Sequence, residues 1–209
     1  MIRGRTMKTR LVSVLAAGLL ALGVGEARAI TLEVLPPTQA AGVGDVVEVH
    51  LAISGLGDLI APSLGVFDVD VGFDPAILSF AGATFGDPGL GDQLDLQGLG
   101  SFFALAAGAG VVDLFELSLD PADVLNTEQA GAFTLAALVF IAVGAGSTPL
   151  TVSVEALGDA LGEPLAAELS AGSVTVTGIP RVAAPASFVL VAAGLVGAGL
   201  ARAWRRHRP

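Results

Sequence analysis

Between residues 30 and 178, apolar and polar side chains alternate in short runs, the period-two signature of half-buried β-strands. Val47, Val49, Leu51 and Ile53 alternate with Glu48, His50, Ala52 and Ser54. Phe67, Val69, Val71 and Phe73 alternate with Asp68, Asp70, Gly72 and Asp74. Val152 and Val154, then Val174 and Val176, sit in Thr/Ser-rich runs of the same period. Thr31–Leu35, Ile77–Phe80, Phe102–Ala106, Val111–Ser118 and Ala132–Val143 are further strand candidates. Turn signals part them: Pro36-Pro37, Gly42-Val43-Gly44-Asp45, Gly55-Leu56-Gly57-Asp58, Asp74-Pro75, Gly144-Ala145-Gly146-Ser147 and Gly158-Asp159. One short helix is predicted around Pro121–Asn126, with Asp120 placed to cap it. Gly86–Gly100 is rich in Gly and Asp and has little periodicity, so it reads as a mobile or ligand-bearing loop. About nine short strands at this spacing predict an all-β sandwich or jelly roll. About 150 residues suffice for one sizeable core.

Charge divides the chain sharply. Its 209 residues hold 10 Lys and Arg against 20 Asp and Glu. Residues 30–180 contain no Lys or Arg, yet they carry every acid except Glu26. A body with no cation cannot neutralise phosphates, which argues against nucleic-acid binding. The absence of Cys removes disulfides, thiolate metal sites and Cys nucleophiles.

The basic residues are confined to the two ends. At the N-terminus a positive stretch, Arg3 to Arg10, precedes the apolar run Leu11–Val24 and then Ala27-Arg28-Ala29. This is the layout of a secretory signal peptide with an A-x-A cleavage site after Ala29, starting at Met1 or Met7. Ala183–Ala201 is a second apolar run without charge, followed by Arg202, Arg205, Arg206 and Arg208 around Trp204. A run of this length nearly matches a hydrocarbon core of about 30 Å. Arginines just past it hold that end on the cytoplasmic side. The expected division is a signal peptide at 1–29, a sandwich domain at 30–178 and a linker with a sorting-like motif at 179–187. A membrane-spanning segment at 188–203 and a basic tail at 204–209 complete it. The protein is thus expected to be exported and held in the inner membrane facing the periplasm, with release to the surface as a further step.

Candidate chemistry in the body is sparse. His50 is its one histidine, and alternation puts it on the solvated face of its strand. No G-x-S-x-G elbow and no phosphate-cradling Gly loop ending in Lys occurs. Carboxylates remain. A glycosidase could use two of them across a bond, although the body offers only Phe among aromatics for a sugar platform. Calcium, which takes six to eight oxygen ligands, is the better use of clustered acids. Asp68, Asp70 and Asp74 would project from one strand face and its turn, and Asp87, Asp92 and Asp95 share the Gly-rich loop. Neither set matches an EF-hand. The plain alternative is an acidic strand face that keeps the sheet soluble. No catalytic residue or firm cofactor emerges, and the expected activity is binding.

Two resemblances sharpen this reading. Val182, Pro185, Ala186 and Ser187, followed by the apolar span and the Arg tail, resemble the PEP-CTERM and VPLPA classes of C-terminal sorting signal. That resemblance implies an exosortase-type processing enzyme as a partner. Ala183-Ala184 stands where the class has Pro-Glu. The body resembles cohesin modules. The matching residues are Gly42–Asp45 before Val46–Ser54, Phe67–Pro75 running into Ile77–Phe80, Gly131–Ala136, and Gly172–Val176. The resemblance implies a nine-stranded jelly-roll sandwich that binds a dockerin-like or polysaccharide ligand. An acidic envelope or matrix protein without a specific ligand is the alternative, and a carbohydrate-active enzyme a more distant one.

Overall fold

The computed structural model describes residues 29–178. Ala27, the sorting-like Val182, Pro185, Ala186 and Ser187, the apolar span and the tail arginines Arg202, Arg205, Arg206 and Arg208 lie outside the described residues. Ala29 lies within them, exposed, immediately before the first strand. Among the described residues no helix is long and apolar enough to cross a membrane.

Eleven strands form two sheets that pack face to face. They are β1 (Ile30–Leu35), β2 (Thr38–Gly42), β3 (Val46–Ser54), β4 (Leu64–Gly72), β5 (Leu78–Phe85) and β6 (Ser101–Gly108). After them come β7 (Val111–Ser118), β8 (Ala132–Ala142), β9 (Gly146–Asp159), β10 (Ala167–Ser170) and β11 (Gly172–Thr177). One helix, α1 (Ala122–Glu128), joins β7 to β8. The five-stranded sheet runs β10-β1-β3-β8-β5, and the six-stranded sheet β2-β11-β9-β4-β7-β6.

The count exceeds the expected nine because the first and last passes of the chain each change sheets. Pro36-Pro37 supplies no N–H to continue the ladder, so β1 ends in one sheet and β2 begins in the other. β10 and β11, parted at Ala171, likewise lie in different sheets. The two divided passes lie side by side. β10 pairs parallel with β1, and β11 pairs parallel with β2. These are the only parallel pairings among the described strands, and they draw the two ends of the domain together.

Alternation places the core. Leu32 and Val34, Val47 and Val49, Phe67, Val69 and Val71, Val112 and Leu114, and Val174 and Val176 all point inward and are buried. Phe140 of β8 sits at the centre, with the rings of Phe73 and Phe80 edge-on at 5.1 and 5.6 Å, a favoured aromatic geometry. The side chains of Asp68 and Asp70 fall on the opposite face of β4, where they are half-buried at the outer surface.

The helix forms near its expected position but without its expected cap. Pro121 occupies the N-cap, and no side chain accepts from the first turn. Asp120 turns away from α1 and receives the N–H groups of Leu96 and Gln97 on Oδ2, at 2.6 and 3.4 Å.

Candidate functional site

The outer face of β4, β7 and β9 gathers four carboxylates, Asp68, Asp70, Asp113 and Glu155. Asp70 lies directly across from Asp113 on β7 and from Ser153 on β9. Asp68 sits two residues earlier on the same face. A register shift in β9 between the partners of Asp68 and Val69 puts Glu155 at the irregularity, and bulges re-aim side chains in this way. Burial raises the Asp68 carboxyl above its ordinary value, and the neighbouring Asp113, Asp70 and Glu155 raise it further. One Asp113 oxygen, Oδ1, is buried without a hydrogen-bond partner. Phe115, on β7 beside Asp68, is half-buried on this face.

Sequence alternation had grouped Asp74 with Asp68 and Asp70. The structure separates it. β4 ends at Gly72, and Asp74 closes the following turn by accepting from the Ala76 N–H at 2.8 Å, while its own N–H donates to Thr148 Oγ1 at 2.9 Å. Asp113 and Glu155 take its place in the group. Both were missed because membership of a face depends on strand pairing, which one strand's pattern does not reveal.

The Gly86–Gly100 segment, expected to be mobile, is tied down by its own carboxylates. Asp87 Oδ1 accepts from Gly89 and Leu90, and Oδ2 from Thr134 of β8. Burial alone would raise its carboxyl; the Thr134, Leu90 and Gly89 N–H groups outweigh that and hold it below the ordinary value. Asp92 Oδ1 accepts from Leu94, and Asp95 Oδ1 from Gly100. Leu94 is buried in the core, and its carbonyl accepts from Ser118 Oγ. The buried Gln93 and Gln129 complete the anchorage. Gln129 spans the Leu64 backbone and donates to the Gln93 carbonyl, and Gln93 accepts from Ala130. Asp87, Asp92 and Asp95 thus each accept from backbone N–H groups of the loop, and Asp87 also ties it to β8. Among the described residues, no group of three or more His, Asp or Glu side chains is arranged to hold a metal ion.

Beneath this loop lies a carboxyl that composition alone does not flag. Glu116 takes an inward slot of β7, in phase with Val112 and Leu114, and is 1% exposed. Ser101 Oγ donates to it at 2.6 Å. Burial raises it to about 7; Ser101 opposes the shift, and the nearby Asp92 and Asp95 add to it.

His50 stands on the outer face of the five-stranded sheet, paired across to Leu35 and Ala137. Its charged contact is Glu48, at 3.5 Å, and no nucleophile is aligned opposite it in either neighbouring strand. A groove of about 640 Å³ beside Ser54–Leu56 and Ala130–Ala132 includes one carboxylate, Asp58, which accepts from the Gly131 N–H.

The two-sheet arrangement is similar to that of cohesin domains. No family model matches the chain, and no curated protein does. Solved structures do. A non-cellulosomal cohesin from the archaeon Archaeoglobus fulgidus superposes with a TM-score of 0.53 at 14% identity, over 71% of this chain and 91% of that one. A cohesin of Clostridium acetobutylicum gives 0.54 at 21% identity, over 72% and 92%. The cohesin of a type I cohesin–dockerin complex from Clostridium thermocellum gives 0.56 at 14% identity, over 71% and 99%. The likeness is one of fold.

Proposed function

We propose that this chain is an exported, non-catalytic binding module, and that its ligand meets the outer face formed by β4, β7 and β9. The observation that carries the reading is the set Asp68, Asp70, Asp113 and Glu155, packed together in a body with no Lys or Arg to neutralise it. Like charges held this close oppose folding. A cationic partner surface would reverse their sign of effect. The cohesin-like fold supports a protein ligand of the dockerin kind over a polysaccharide, since the face has Phe115 but no Tyr or Trp to stack on sugar rings. Export rests on the N-terminal segment ending at Ala27-Arg28-Ala29. Inner-membrane anchorage rests on the span before Arg202, and sorting by an exosortase-type enzyme on Val182, Pro185, Ala186 and Ser187.

The test is affinity capture from the envelope and secreted fractions of the host. Parent protein is compared with a variant carrying Asp68→Asn, Asp70→Asn and Asp113→Asn. The expected result is one saturable protein partner, held at moderate salt by the parent and lost by the variant. A partner retained by the variant would move the site elsewhere. Absence of any saturable partner would favour an acidic envelope or matrix protein. Hydrolysis in a glycan screen would overturn the non-catalytic reading.

A further inference from the structure

The four sheet edges are not treated alike. An unpaired strand edge is a template for another chain, and proteins blunt it with shortness, charge, proline or a bulge. β10 is four residues long and carries Glu168. β2 is five residues long and polar at its start. β5 is broken by an irregularity between Phe80 and Gly82. β6 has none of these devices. It runs eight residues, Ser-Phe-Phe-Ala-Leu-Ala-Ala-Gly, in unbroken register with β7. It contains no charge and no proline in a body that is otherwise densely acidic. Phe102 is 62% exposed and Phe103 66%, although Phe103 also touches Phe85 at 5.4 Å between ring centroids.

We propose that β6 is the contact edge of a symmetric dimer, in which two copies pair β6 antiparallel to β6 and join their six-stranded sheets into one. The sequence of the strand is complementary to itself. Residues opposed across an antiparallel pair share a face, so a two-fold axis perpendicular to the sheet passes midway between one residue and its own copy. With the axis at Leu105, Phe102 meets Gly108, Phe103 meets Ala107, and Ala104 meets Ala106. The bulky half of each strand covers the small half of the other. A two-fold interface demands this kind of self-complementarity. Charge permits this edge without selecting it, since β2 and β5 are uncharged too; what separates β6 is its length, its unbroken register and its exposed phenylalanines. Two bodies of like sign approach at least cost where the meeting strand bears no charge, and the nearest acid on β7 facing outward, Asp113, lies one strand further in, across from Ala106. This inference stands apart from the ligand face, whose carboxylates belong to β4, β7 and β9.

Cysteine crosslinking of the full chain in its own membrane fraction tests it, because the chain has no native cysteine and every disulfide reports on an introduced one. Leu105→Cys, opposite itself across the axis, is expected to give a covalent dimer of doubled mass under mild oxidant, reversed by reductant. Ala40→Cys, on the β2 edge, is expected to stay monomeric. Adding Ala104→Lys to Leu105→Cys is expected to abolish the crosslink while circular dichroism stays that of the parent. The proposal is overturned if folded Leu105→Cys remains monomeric, if Ala40→Cys crosslinks equally, or if Leu105→Cys joins a different protein instead of its own copy.

Discussion

Glu116 shows how far one misplaced polarity can set the behaviour of a domain. Its ordinary value is 4.5 and burial lifts it to about 7. Between these values the folded chain keeps a proton that the unfolded chain has released. The Glu116 contribution to stability therefore falls as pH rises from about 4.5 to about 7, and is level above. At about 1.4 kcal/mol per unit, the loss is on the order of 3 kcal/mol. Glu116→Gln keeps the bond from Ser101 and removes the charge. Urea midpoints are expected to lose this pH dependence, with the variant more stable than the parent at pH 8; an unchanged slope would contradict the assignment. The position was legible in the sequence, because Val112 and Leu114 set the phase of β7 and Glu116 falls on the same side. What was not legible was its company, since Asp92 reaches it from a loop whose course no periodicity describes. The same holds for Asp120, whose place before a proline at a helix start suggested a cap. Its side chain instead closes a contact more than twenty residues back in the chain.

At the scale of elements, turns and anchors carry what the alternation leaves open. The β6–β7 hairpin turns at Gly110, whose φ is +88° and whose carbonyl accepts from Phe73 at 2.8 Å. A Cβ there would stand 2.7 Å from the Phe73 carbonyl oxygen. Gly110→Ala is expected to cost about 2 kcal/mol or more, since a left-handed position and a backbone clash coincide; thermal unfolding checks it. Leu94→Ala is expected to cost about 2–5 kcal/mol and to raise hydrogen exchange across Gly86–Gly100, because that side chain is the loop's insertion into the core. Strands with strict alternation, such as β3 and β7, were delimited correctly by pattern alone. β2 and β10 were not foreseen. Each is short, carries little apolar alternation, and exists because its neighbour in the other half of a divided pass offers a parallel edge. Pairing across more than 130 residues of chain leaves no local mark.

For the molecule as a whole, the governing fact is a folded body with acids and no Lys or Arg between residues 30 and 180. Self-repulsion on this scale is screened by salt, with a Debye length falling from about 10 Å at 0.1 M to about 3 Å at 1 M. Melting temperature is expected to rise with NaCl. CaCl₂ at equal ionic strength is expected to raise it no further, since no group of carboxylates among the described residues is arranged to hold the ion. A melting temperature indifferent to NaCl would contradict the electrostatic account. In the proposed function the same surplus is what a cationic partner would meet on the face of β4, β7 and β9. The most direct measurement is hydrogen–deuterium exchange of the full chain with and without the captured partner. New protection is expected on β4, β7 and β9 around Asp68, Asp70, Asp113 and Glu155. Protection confined to Gly86–Gly100, or to the five-stranded sheet around His50, would contradict it.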